Sequence, residues 1–421
     1  MNNIAIFFFL VNATAILFLP KRLAPIPLLV GTCYMTLSQG IELGPFTFTI
    51  IRMLILVGIL RILIRSERLK GGMNGLDWLM VIWGFLALIS SFFRSDVSAA
   101  FVWRMGLAFN TWGIYFLIRV FCQSIDDLWG LILFIALILC PIAFEMIYEN
   151  LANYNLFSFL GGVPSIPVIR DGNIRAQGPF RHPILAGTVG AICLPLMIAL
   201  WNKHPKAAVV GIFSCVTIVF NSSSSGPIAS ALAGIGALFL WPYRHKMKFV
   251  RRVALTGYIA LELIMKAPAY YLMARIPIVQ ASTGWHRARL IQSAFSHLNE
   301  WWLAGTEYTR HWMPTGVSWS PNHADITNHY IQMGISGGLL VMLMFIATLA
   351  KGFSYIGKIL QAKINHPVHT KFMIWALGAS LFANATTMIS VSYFDQSFIF
   401  LYLTLAIISS TWSWTKANRT T

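Results

Sequence analysis

Charge is scarce in this 421-residue chain. Only 11% of it is Asp, Glu, Lys or Arg, less than half of the roughly 25% typical of a soluble domain, which excludes a soluble globule. Acid is scarcer still, with 14 Asp and Glu against 31 Lys and Arg. No H-E-x-x-H, D-x-D or clustered carboxylate spacing results, so no metal site is expected. The five cysteines (Cys33, Cys122, Cys140, Cys193 and Cys215) all lie in or at the ends of apolar runs, which argues against a disulfide framework or a thiolate metal site. Neither a Walker loop nor a dinucleotide fingerprint occurs. No cofactor is expected, and any donor must carry its own activated bond. A cleaved leader is not expected either: residues 4 to 20 are apolar but lack a basic region ahead of them, and Lys21 and Arg22 follow at once.

What is abundant is hydrophobic sequence, at 57% of the chain, with 14% aromatic. The apolar runs are ~17 to 22 residues long, the length at which a helix crosses a ~30 Å hydrocarbon core, and no tandem alternating ~10-residue strands occur. The expected fold class is therefore an all-α polytopic membrane protein of about 12 or 13 transmembrane helices. The runs fall at 4 to 20, 23 to 39, 46 to 64, 76 to 93, 98 to 121, 128 to 148, 183 to 201, 207 to 221, 226 to 242, 250 to 268, 330 to 350, 371 to 391 and 396 to 414. They divide the chain into N-terminal transmembrane helices (1–149), a first external loop (150–182), central helices (183–268), a large second external loop (269–329) and C-terminal helices (330–421). The first two runs are short enough to be a re-entrant pair.

The net charge of +17 does not point to nucleic acid, because the basic residues sit singly or in short clusters between apolar runs. Eleven of the twelve lysines, Lys363 among them, fall in alternate loops, and only Lys266 breaks the pattern. Lysine therefore marks the cytoplasmic side. The opposite side receives both long loops and is basic through arginine: Arg94, Arg170, Arg175, Arg181, Arg275, Arg287, Arg289 and Arg310. Topology explains the lysines but gives no reason for external arginines. A guanidinium fork matches carboxylate and phosphate oxygens, so these suggest a phosphorylated or acidic ligand, with solvated loop charge as the plain alternative for any one of them. Four more arginines fall inside runs. Arg61 and Arg119 lie near cytoplasmic ends and are expected to snorkel to the headgroups. Arg52 and Arg104 each lie about six residues, roughly 9 Å, below an external end, where a charge requires a cavity or an anion.

The loops carry three constellations. Arg175 to Pro183 places two arginines and a histidine at the start of a membrane helix, with Pro183 suited to its first turn. From Arg287, the i+3 and i+4 positions are Leu290, Ile291, Ala294, Phe295 and Leu298, so Arg287 projects from the apolar stripe of an amphipathic helix while Arg289 shares a polar face. Finally, His323, Asp325 and His329 are candidate bases at the mouth of the next span.

These residues resemble a known family. R-A-x-G-x-F-x-H-P-x-L-x-G from Arg175 to Gly187, T-G-x-x-R-x-x-L-I from Thr283 to Ile291 and H-x(10)-G-x-x-G from His323 to Gly337 are similar to segments of the bacterial O-antigen ligase and O-antigen polymerase superfamily. The resemblance implies a GT-C-like fold and a metal-independent inverting glycosyltransferase at the periplasmic face of the bacterial inner membrane. The implied donor is a glycan on undecaprenyl diphosphate, and the acceptor is another glycan for a polymerase or lipid A core for a ligase. Arg175 and Arg287 would hold the diphosphate, and His323, Asp325 or His329 would handle the acceptor proton. This chain departs from the family at Ala324, where asparagine is usual, and at Ser224-Ser225-Gly226, where Ser-Arg-Gly is usual. Arg52, Arg104, Arg181 and Arg289 are the remaining candidates for diphosphate contacts. A polysaccharide or anion transporter is the competing class, although no repeat symmetry is visible in the sequence.

Overall fold

The computed structural model describes residues 1–275, 284–362, 364 and 366–418. Thr283, at the head of the second motif, and Lys363 lie outside the described residues. Each of the thirteen apolar runs folds as a helix. The first ten are α1 (Asn3–Phe18), α2 (Pro25–Tyr34), α3 (Ile50–Arg65), α4 (Gly75–Ile89), α5 (Val97–Phe121), α6 (Ile125–Ala152), α7 (Pro183–Leu200), α8 (Pro205–Asn221), α9 (Ser225–Phe239) and α10 (Met247–Ile264). The second long loop holds the short helices α11 (Leu272–Arg275), α12 (Gly284–Ser296) and α13 (Leu298–Trp301), after which α14 (His329–Leu360), α15 (Val368–Thr387) and α16 (Ser397–Ala417) follow. Among the described residues strand is confined to three antiparallel hairpins in loops: β1 (Gly40–Leu43) with β2 (Phe46–Thr49), β3 (Val168–Arg170) with β4 (Asn173–Arg175), and β5 (Gly316–Val317) with β6 (Ser320–Ala324).

The described chain is thus all-α, consistent with a polytopic helical membrane protein. Among the described residues five helices are long and apolar enough to cross a membrane: Gly75–Phe93, α6, α7, α14 and α16. α9 and the helical stretch after it, bent by 73°, qualify together as a sixth. α1 and α8, at 16 and 17 residues, stop just short of the ~20 that span a bilayer core. α10 buries no residue against the rest of the chain; its exposed Leu255, Ile259 and Ile264 are what a helix surrounded by lipid presents.

Helix starts are set by local chemistry. Asn74 with Asp77, and Ser124 with Asp127, form reciprocal capping boxes at α4 and α6, satisfying backbone donors that a membrane would leave unpaired. Pro183 opens α7, and the His182 side chain accepts from Ile184 N. Helix α7 is buried along nearly its whole length, so α8, α9 and α15 pack around it.

Two expectations fail here. Arg61 and Arg119 do not snorkel; both are buried and paired. Arg119 donates from Nε and Nη2 to the two Asp77 oxygens at 2.9 Å, and Tyr115 and Ser409 also donate to Asp77. Arg61 pairs with Glu67 at 2.9 Å and donates to Leu19 O at 2.8 Å, capping the end of α1. Each arginine found a partner on a neighbouring element before it could reach the headgroups. Arg52 also does not lie six residues deep. Phe46-Thr47-Phe48-Thr49 alternates with β-branched residues and forms β2, so α3 begins at Ile50 and Arg52 sits in its first turn.

Candidate functional site

A cavity of about 1960 Å³ lies where α3, α5, α7, α9, α14 and α16 begin. Their N-terminal ends all face it, and the unpaired amides and macrodipoles of helix starts favour an anion. Seven arginines and five carboxylates line the cavity, and among the described residues no lysine does. The two long loops therefore bring their arginines together in one cavity, away from the lysine-rich loops.

The first loop delivers Arg175 through the β3–β4 hairpin. Asp171 and Gly172, with φ of +51° and +77°, form its turn, the left-handed pair that an Asp-Gly hairpin adopts. Arg175 is buried and donates from Nη2 to Ser224 Oγ at 2.7 Å, so the serine-rich start of α9 orients this guanidinium. Glu149, buried on α6, accepts from the backbone N–H groups of Gln177 and Gly178 at 3.0 and 2.8 Å and holds the Arg175–His182 segment down on the bundle. Arg181 is more exposed and lies 3.4 Å from Asp395.

The second loop builds a small core of its own from Leu290, Ala294, Trp301, Trp312, Met313 and Ala324, packed on Ile331 and Ile335 of α14. Arg287 projects from α12 toward the cavity and is half-buried, whereas Arg289 is exposed, stacks on Trp285 and does not line the cavity. Phe295, expected in the apolar stripe, is exposed. His323 comes from β6, with Nδ1 2.7 Å from Ser320 Oγ and its ring 5.4 Å from that of Trp319. Asp325 also lines the cavity, and its backbone carbonyl faces His286 Nε2 at 3.1 Å. His329 does not reach the cavity. It is fully buried among Phe345, Tyr393 and Phe398, and its Nδ1 accepts from Tyr393 N at 3.2 Å.

Arg52 and Arg104 line the cavity with part of their donors already engaged. Arg52 donates to Asn110 Oδ1 at 3.1 Å and Thr47 O at 2.6 Å, in space left by Gly106. Arg104 donates to Ser336 O. Arg94, which follows the α4 span, donates to Ile335 O at 2.7 Å and Ser336 O at 2.9 Å. Those carbonyls are released because α14 breaks at Gly338, whose φ is +87°, so two arginines cap the broken helix.

Four of these guanidinium groups keep a buried donor that meets no protein acceptor: Arg94 Nε, Arg104 Nη1, Arg175 Nε and Arg287 Nε. Each such group costs about 1–3 kcal/mol while it stays unpaired. Burial lowers the pKa of Arg94 against the pull of Glu307, and lowers Arg175 and Arg287 with neighbouring Arg170 adding to the shift, although arginine stays protonated. Burial, with Arg175, pulls His182 down to about 4. Burial also lowers His323, with Arg94 adding to the shift and Glu307 opposing it. Burial raises Asp395 against the pull of Arg181.

Glu149, Ser224 and Asp395 were not foreseen as site residues, and Arg94 stood out only as one of eight loop arginines. The Asp171-Gly172 turn signal was present in the sequence; the pairings across elements were not. No protein-family model matches this chain, and no curated protein matches it.

Proposed function

We propose that the protein is a polytopic glycosyltransferase with a GT-C-like arrangement of 12 or 13 spans in the bacterial inner membrane, its cavity facing the periplasm. The donor in this reading is a glycan on undecaprenyl diphosphate, and the reaction is chain extension of a surface polysaccharide, O-antigen or exopolysaccharide. The observation that carries it is the set of four cavity-lining arginines with buried, unpartnered donors. A diphosphate offers the acceptors that arginine in such a cavity suits, and the apolar part of the wall, including Trp103 and Phe220, both exposed by more than half, suits a lipid tail.

The step is a direct displacement. The acceptor hydroxyl oxygen bonds to the anomeric carbon, the bond from that carbon to the diphosphate oxygen breaks with its electron pair leaving on the diphosphate, and His323 or Asp325 takes the hydroxyl proton. Arg175 and Arg287 stabilise the charge that grows on the leaving group. Electrostatic stabilisation of this kind is worth about 3–4 kcal/mol per donor.

The test uses purified protein in lipid with undecaprenyl-diphosphate-linked repeat units. Arg287→Ala is expected to lower transfer by about 10²–10³-fold while membrane insertion is retained. Unchanged transfer by Arg287→Ala removes the central residue of the scheme. A product ladder from repeat units alone identifies a polymerase, and product only on addition of lipid A core identifies a ligase. Uptake of glycan or anion by vesicles without a new glycosidic bond identifies a transporter.

A further inference from the structure

Away from the cavity, the second loop gathers three side chains that metal ions use as ligands. His297 follows α12, Glu300 lies in α13 and His311 lies in the 3-10 turn Arg310–Trp312; their ligating atoms all lie within 4.8 Å of one another. Their spacing, H-x-x-E-x(10)-H, matches no common metal motif, which is why the sequence does not announce it. His311 Nε2 lies 3.0 Å from Glu300 Oε1, close to the ~3.4 Å that separates two ligands on a tetrahedral ion with bonds of ~2.1 Å.

The outer shell is built as well. His297 Nδ1 lies 2.8 Å from the Ser293 carbonyl, which fixes it as the donor and leaves Nε2 with its lone pair free, the arrangement of most metal-binding histidines. Trp312 Nε1 donates to Glu300 Oε2 at 3.0 Å, aiming the other carboxylate oxygen at His311. The rings are held by stacking, His297 on Trp312 and Tyr308 on His311.

We propose that His297, Glu300 and His311 bind a divalent transition-metal ion of the zinc type, with water completing its shell. Two imidazoles and one carboxylate suit zinc in ligand type and number. None of the three lines the cavity, so the ion takes no part in the displacement and the proposal does not rest on it. What the ion joins is informative. His297 ends the helix that carries Arg287, and the segment holding His311 is tied to β6 through Thr309, whose Oγ1 accepts from Ala324 N at 3.0 Å. The ion clamps the arginine-bearing helix to the strand that bears His323.

The test is zinc titration of the full-length, tag-free protein after chelator treatment, read by calorimetry, with cobalt absorbance as a second probe of coordination. One ion per chain is expected. Glu300→Gln, which keeps the acceptor for Trp312, and His297→Ala are each expected to weaken binding by at least the 10–100-fold that loss of an outer-shell partner causes, whereas His286→Ala in the same loop is expected to bind as the parent does. Zinc is also expected to protect residues 284–328 from protease in the parent and not in Glu300→Gln. Equal affinity of the parent and Glu300→Gln, or binding lost equally in His286→Ala, would overturn the assignment and leave an ordinary histidine–glutamate ion pair.

Discussion

At the scale of single residues, the cavity separates arginines that are spent from arginines that are available. Arg52 gives donors to Asn110 and Thr47, and Arg104 gives Nη2 to Ser336 while its Nη1 meets no protein acceptor. Arg287 Nε meets no protein acceptor. Position in the chain did not distinguish them, because the acceptors lie up to 232 residues away. The same reasoning applies to the base. His323 must be neutral to receive a proton, and burial beside Arg94 holds its pKa below the ordinary 6.5 in spite of Glu307. The neutral form therefore dominates at pH 6.5 and above and is lost only as pH falls through the lowered value. The kcat/KM profile for glycan transfer is expected to be flat through neutrality with an acid limb whose midpoint lies below 6.5. His323→Gln should remove that limb together with most of the activity. A midpoint above 6.5, or an unchanged limb in His323→Gln, would assign the base elsewhere, with Asp325 the cavity-lining alternative.

At the scale of elements, the break in α14 organises the site. Gly338 sits at φ +87°, and a Cβ there would lie 2.3 Å from the Leu303 carbonyl oxygen, so both the backbone and the space require glycine. Gly338→Ala is expected to destabilise the protein by about 1–3 kcal/mol through forced backbone strain and to disturb the carbonyls that Arg94 and Arg104 cap. Gly357, in the same helix with nothing within 4 Å of its notional Cβ, is the matched control, and Gly357→Ala should be neutral or stabilising by up to ~1 kcal/mol. Thermal unfolding of both variants in detergent checks this, and equal melting temperatures would mean that the break is not enforced by Gly338. The elements themselves were legible because apolar length is a local signal: every apolar run became a helix. The three hairpins were not read out, although Phe46–Thr49 alternates and Asp171-Gly172 is a turn pair, since short strands beside long apolar runs are masked by the hydrophobicity around them. The partner of Arg119, Asp77 at 42 residues' separation, could not be read from a linear pattern, and neither could the carboxylate of Glu149 beneath the Arg175 loop.

At the scale of the whole molecule, the two cationic residues mark opposite ends. Arg52, Arg175 and Arg287 line the cavity where helices begin, whereas Lys351 and Lys358 stack on Tyr355 and Trp412, toward the C-terminal end of α16. If lysine is retained on the cytoplasmic side, the cavity opens outward, and only then can it meet a glycan carried on the outer leaflet. The native thiols leave room to test this, because four of the five cysteines are buried and Cys140 is half-buried within α6. A cysteine introduced at exposed Ser318, in the turn between β5 and β6, is expected to react with a membrane-impermeant maleimide in cells whose inner membrane is intact. One introduced at exposed Lys203, between α7 and α8, should react only after that membrane is opened. The reverse pattern would place the arginine-lined cavity in the cytoplasm. There the lipid-linked donor would be on the wrong leaflet, and the transferase reading would fail as a whole even if every residue in the cavity proved to bind phosphate.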